Sequence, residues 1–233
     1  DIDVKKLEEG AGANNKLADS FEKARLFATK AGFAIQGIKE VYDVLKRTIG
    51  DLVRAAQEEE ASNIALQASL RATGLEVDNN ALILADYASQ LQQVTVYGDE
   101  MIKTAMAQMQ NVAKFTNVET LERATKAAIG LADAYGMDLN TAMMLVGKAA
   151  AGNTAMLGRY GIVLDDTASQ EEKFNQVLEI GANYFSISEE KAKSSMGQLE
   201  QLKNSWGDLK EVLAKGVLPI LNKAVDILKP LID

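Results

Sequence analysis

The sequence predicts an all-α protein in which long amphipathic, coiled-coil-like helices flank a compact multi-helix domain. Three observations predict it. Ala, Leu, Lys, Glu and Gln dominate a chain of 233 residues that holds only two prolines, Pro219 and Pro230, so helix propensity runs almost uninterrupted. Apolar residues near the front recur at alternating steps of four and three. The middle of the chain changes to shorter apolar-periodic runs, each bounded by a capping residue or a glycine.

Taken in order, residues 1–13 read as a flexible N-terminal segment and residues 14–73 as a long helical region. The apolar series Leu17, Phe21, Ala24, Ala28, Ala31, Ile35, Ile38, Tyr42, Leu45, Ile49, Leu52 and Ala56 is a heptad seam, the pattern by which helices pack side by side. A continuous helix over it would be on the order of 60 Å long at about 1.5 Å per residue. Phe27, Ala34, Val41 and Ala55 widen the apolar face, so more than one partner helix is expected. The same pattern also fits an amphipathic helix lying on its own domain. Gly50-Asp51 is a place where the rod could break, and Gly74 reads as a helix stop.

Residues 74–187 read as a compact cluster of crossing helices. Asp78 and Gly98-Asp99 can each start one. Thr116–Glu119 and Thr167–Gln170 have the S/T-x-x-E/Q spacing of a capping box, in which two side chains satisfy orphan backbone N–H groups. Gly136 and Gly152 read as stops and Asp138 as a restart. From residue 188 to 233 the long-helix style returns. Leu199, Leu202, Trp206, Leu209 and Leu213 form a second seam, with Gly216 and Pro219 expected to interrupt it.

Composition narrows the function classes. The chain has no Cys and no His, so disulfides, thiolate nucleophiles, imidazole metal sites and Ser-His or Cys-His catalysis cannot be built. A net charge of −8 disfavours general nucleic-acid binding, which depends on cations replacing counterions on phosphate. The charge is uneven: residues 14–54 carry eight Lys/Arg against five Asp/Glu, and residues 55–187 eight against seventeen. No stretch approaches the roughly 18 apolar residues of a membrane span, so the chain is expected to be soluble. It starts at Asp1 and reads as an excised piece of something longer.

The remaining chemical motifs are weak. Gly147-Lys148 lacks the first glycine of a P-loop, because Ala142 stands there, and Ala149 replaces its Ser/Thr. Asp165-Asp166 is better explained as favourable charge at a helix N-terminus than as a metal or acid pair. Glu119 and Glu122 are conceivable acids for a glycosidase needing neither His nor Cys, but few aromatics are present to line a sugar cleft. Met101, Met106, Met109, Met143 and Met144 are read as core, with an adaptable binding face as the alternative. No catalytic residue, cofactor or metal ligand is therefore expected, and the chain is not expected to be an enzyme.

Four separated stretches, residues 87–100, 124–139, 145–154 and 157–162, occur with Trp206-Gly-Asp-Leu209 and Gly216-Val-Leu-Pro219 in one order. Together they resemble the core region of tail tape measure proteins of long-tailed phages and prophages, over about residues 61–221. The resemblance implies a structural virion protein that fills the tail tube lumen, sets tail length during assembly, which takes place in the host cytoplasm, and takes part in genome delivery. The partners it implies are a few copies of the chain itself, the tail tube protein and tail assembly chaperones. Neither a specific nucleic acid nor a membrane is expected for this piece. A helical adaptor module and a single-Glu muralytic glycosidase remain the alternatives.

Overall fold

A computed structural model describes residues 35–229, with side chains from residue 39 onward. The chain is all-α, and no strand occurs among the described residues. The helices are α1 (Ile35–Thr73), α2 (Asp78–Val94), α3 (Asp99–Ala113), α4 (Val118–Tyr135), α5 (Leu139–Ala150), α6 (Gln170–Lys193) and α7 (Ser195–Leu228), with a short 3-10 turn at Leu157–Tyr160. Contacts divide the chain into two compact units, Glu58–Trp206 and a second that takes in residues up to Gln57 and from Gly207. The first is called the body below. The expected segment 1–13 lies outside the described residues.

Local chemistry accounts for most boundaries. Gly74 ends α1 with φ +81°, and Leu75 N–H returns to Leu70 O at 3.0 Å to close its last turn. Gly136 ends α4 and Gly152 follows α5, both with positive φ. Asp138 caps α5 by accepting the Thr141 N–H at 3.0 Å.

Both expected capping boxes are displaced. The cap of α4 is Asn117, which accepts the Thr120 N–H at 2.8 Å, rather than Thr116; Asn is the stronger cap of the two. The cap of α6 is Ser169, boxed with Glu172, rather than Thr167 with Gln170. Thr167 is engaged elsewhere, since its N–H and hydroxyl both donate to Asp165 Oδ1, at 2.8 and 2.6 Å. Asp165 therefore holds a turn ahead of the helix instead of sitting in its first residues.

The two expected breaks in the long helices do not occur. α1 runs through Gly50 for 39 residues, and α7 runs through Gly216 and Pro219 for 34. One glycine costs a helix only about 1 kcal/mol relative to alanine, and Leu52 and Ala55 are buried directly after Gly50. Pro219 removes one backbone bond on an exposed face, while Ala214 and Ala224 are buried on either side of it.

The core lies in the body and is built largely from alanine, leucine and methionine. Leu66 and Leu70 of α1 join Leu84, Ile102, Met106, Met109, Leu121, Ala128, Leu131, Met143, Val146, Val177 and Phe185. Met106, Met109 and Met143 are thus core residues, whereas Met101 is exposed. Small residues let α4 and α6 approach until their backbones touch. A Cβ on Gly130 would sit 2.0 Å from Gly181 O, and one on Gly181 would sit 2.4 Å from Ala127 O. Neither obstacle is a flexible side chain, so the helices would have to part.

Gly130→Ala and Gly181→Ala are each expected to destabilise the protein by about 1–3 kcal/mol, the usual penalty of overpacking. Gly50→Ala meets nothing within 4 Å and lies inside a helix, so it is expected to stabilise by about 0.5–1 kcal/mol. Urea melts followed by circular dichroism check both signs; equal effects at the three positions would contradict the packing described.

Candidate functional site

The two predicted seams are placed very differently. Of the first, Leu17, Phe21, Ala24, Ala28 and Ala31 lie outside the described residues, and Ile35 and Ile38 lie in α1 without described side chains. Leu52 is buried, and Tyr42, Leu45, Ile49 and Ala56 are partly buried. Ala55, one of the flanking positions, is buried too, whereas Val41 is half-exposed. This seam is occupied in part and leaves an apolar margin.

The second seam points outward. Met196, Leu199, Leu202 and Trp206 are between 59% and 78% exposed, and Leu209 and Leu213 are 43% and 37% exposed. Its polar neighbours do the docking instead. Gln201 Nε2 donates to Gln93 O at 2.9 Å and to Thr95 O at 3.2 Å, and Asn204 Nδ2 donates to Val96 O at 3.4 Å. Gly197 lies against the backbone of Lys191 and Ala192 so closely that a Cβ there would fall 2.0 Å from Lys191 O.

Residues 197, 201 and 204 fall on one side of the helix. Residues 199, 202 and 206 fall roughly opposite, at about 100° per residue. The first turns of α7 are therefore amphipathic in the reverse of the usual sense, with amides turned to the body and leucines and the single tryptophan turned to water. Exposed apolar residues in a contiguous row are a mark of an interaction surface rather than of ordinary surface composition.

Two polar clusters hold the body together, and the sequence did not single out either. Lys103 on α3 is 1% exposed; its ammonium bonds Glu59 of α1 and, at 3.0 Å, Asp99 one turn earlier on α3. Burial acts to lower its pKa, but the bonds and charges of Glu59 and Asp99 outweigh burial and raise it, so the side chain stays cationic. The Asp99–Lys103 spacing is a readable i,i+4 pair, whereas Glu59 is 44 residues away and only folding brings it in.

The second cluster centres on Asp133 of α4, whose side chain is 1% exposed. Its Oδ1 accepts the Tyr97 hydroxyl at 2.9 Å and the Lys191 ammonium at 2.6 Å. Burial, and then the Asp133 carboxylate, push the Tyr97 pKa far above its ordinary value. Tyr87, whose hydroxyl donates to Glu122 O at 3.2 Å, is pushed up to about 12, first by burial and then by the Glu122 charge.

The candidate acids do not assemble into a site. Glu119 is exposed on the first turn of α4. Glu122 is raised by partial burial and then by Glu119, and the recess between α4 and α6 is lined by Arg123, Lys126, Asn175 and Glu179 among others, without either of them. Lys148 lies inside α5, near its last turn, where its charge suits the helix dipole. Among the described residues no helix is long and apolar enough to cross a membrane.

Lys103, Tyr87 and Tyr97 all hold their protons more tightly in the folded state than in the unfolded one. Their stabilisation is complete below the ordinary values near pH 10 and is lost as pH rises through the folded values. A steep fall in stability above about pH 10 is expected. In a phenolate absorbance titration of the six tyrosines, Tyr87→Phe and Tyr97→Phe should each remove a late-titrating ring; six rings ionising together near 10 would contradict the clusters described.

Removing both acids with Glu59→Gln and Asp99→Asn strands a buried ammonium and is expected to cost about 3–5 kcal/mol. Adding Lys103→Met to that pair should recover much of the loss in a urea melt.

The chain matches no known family, no characterised protein and no solved structure.

Proposed function

We propose that this chain is a structural piece of a phage tail tape measure protein, with no catalytic role of its own. The observation that carries the reading is the pair of long helices. α1 and α7 have 39 and 34 residues, about 58 and 51 Å at about 1.5 Å per residue, and each contributes one part to the body and another to the second unit. A helix converts residue count into distance at a fixed rate, which is what a ruler requires. Seam residues left partly or wholly exposed on both helices supply surfaces by which such elements pack into a stiff rod.

On this reading the working partners are a few copies of the chain, the tail tube protein and the tail assembly chaperones, and the working place is the lumen of the virion tail after assembly in the host cytoplasm. The order of motifs from residue 87 to residue 219 supports the same family. A helical adaptor is the second reading, favoured by the reversed amphipathicity of α7 alone, which would suit any single partner helix.

In-frame deletion of whole heptads between Leu17 and Ala56 in the parent gene tests the ruler role. Each heptad removed should shorten the tail by roughly 10 Å, at about 1.5 Å per residue, as measured by electron microscopy. Tails of unchanged length would count against a measuring role for this segment.

A further inference from the structure

We infer that the trough between the end of α1 and the start of α2 is a docking site for a cationic amphipathic helix of another protein. The inference goes beyond the measuring role and does not depend on it. Asn63, Leu66 and Gln67 of α1 and Ala81, Leu82 and Ala85 of α2 line a trough of about 440 Å³ that lies wholly within the body.

Its shape comes from small residues. Leu66 and Ala81 are buried and form the floor. Ala81 and Ala85 are one turn apart, so the α2 wall stays low along the trough. Leu82 stands on that wall 72% exposed, and Ile64, three residues before Gln67 on α1, is 58% exposed. The lining positions on α1 run from Glu59 to Gln67, about 12 Å at about 1.5 Å per residue, or two turns. A helix laid along the trough can set two apolar side chains over Ala81 and Ala85 and cover Leu82, the way amphipathic helices enter grooves elsewhere.

Charge selects which helix fits. Residues 58–94 carry six acids against Arg71 alone. Lys103 takes up Glu59. Asp78 and Asp86 lie one turn before and one turn after Leu82, so the exposed leucine is bracketed by carboxylates on its own helix. Across the trough Glu60 is exposed, three residues before Asn63. None of the ion pairs among the described residues engages Glu60, Asp78 or Asp86. Asp86 accepts only the neutral Gln90 amide, at 2.7 Å. A helix whose apolar row is flanked by Lys or Arg meets these carboxylates, whereas one flanked by Asp or Glu sets like charges together.

The test titrates the full 233-residue chain into a fluorescein-labelled helical peptide of about 18 residues, with leucines four and three apart and lysines on both sides of them. Fluorescence anisotropy should show saturable binding below about 100 µM. Leu82→Gln should weaken it at least about tenfold. Asp78→Asn combined with Asp86→Asn should weaken it by about the same factor and flatten its dependence on salt. All three positions are exposed, so the circular dichroism spectrum should not change. Glu171→Gln with Glu189→Gln removes the same charge from α6 and should leave binding as it was.

No saturable binding, or binding that Leu82→Gln leaves intact, overturns the docking site. So does equal binding by a peptide of the same residues scrambled so that its leucines share no face. Equal binding by a peptide with glutamates in place of the lysines overturns the cationic partner. A mass above 25.1 kDa that rises with concentration and is lost in Leu82→Gln would make a second copy the occupant and overturn it too. Heptad deletions that leave tail length unchanged would remove the measuring role and touch none of these outcomes.

Discussion

The body depends on one close approach, the contact of the α4 and α6 backbones at Gly130 and Gly181. With no side chain at either position, the carbonyl of Gly181 occupies space that any Cβ on Gly130 would need. Ala124, Ala127, Ala128 and Ala132 keep the rest of the α4 surface low, and all four are buried. Ser188 Oγ reaches Ile129 O at 3.4 Å further along the same crossing. Larger residues then fill the space around this tight axis: Met109 lies against Gly147 of α5, and Phe115 stacks on Phe174 at 5.8 Å. Small residues set the spacing, and methionine, which adapts to irregular gaps, closes what remains.

Around that axis the body uses charge where an apolar core would serve for stability alone. A buried ion pair often contributes little net stability against a well-packed apolar substitute, but it tolerates only its own partner. Lys103 ties the second part of α1 to α3, and Asp133 ties α4, the α2–α3 connection and the end of α6 to one another. The first cluster therefore fixes one end of a long helix on the body, and the second joins elements within the body.

The first turns of α7 reverse the usual assignment of helix faces. A helix that only covered a domain would turn Leu199, Leu202 and Trp206 inward and leave Gln201 and Asn204 in water, because apolar burial stabilises more than amide bonds that water would otherwise satisfy. Here the amides take the inner side, meeting backbone carbonyls in the last turn of α2 and in the α2–α3 connection. The apolar row remains turned outward to water.

Much of the architecture was legible in the sequence, and the limits of that legibility are physical. Local rules found the starts at Asp78, Asp99 and Asp138 and the stops at Gly74, Gly136 and Gly152, because capping and positive φ are decided within a few residues. They misplaced the caps at Thr116 and Thr167, since Asn117 caps α4 one residue later and Ser169 caps α6 while Asp165 engages Thr167. They also expected breaks at Gly50 and Pro219 that neighbouring packing overrides. By itself, then, the sequence determined that the chain is helical, where most helices begin and end, and that two apolar seams exist, since all of these depend on spacing along the chain. Only the tertiary structure decided that Gly130 meets Gly181, that Glu59 reaches Lys103, and that the seam of α7 faces out while its amides face in. Each of those depends on which surfaces, tens of residues apart, come into contact, and no periodicity along a single helix encodes that.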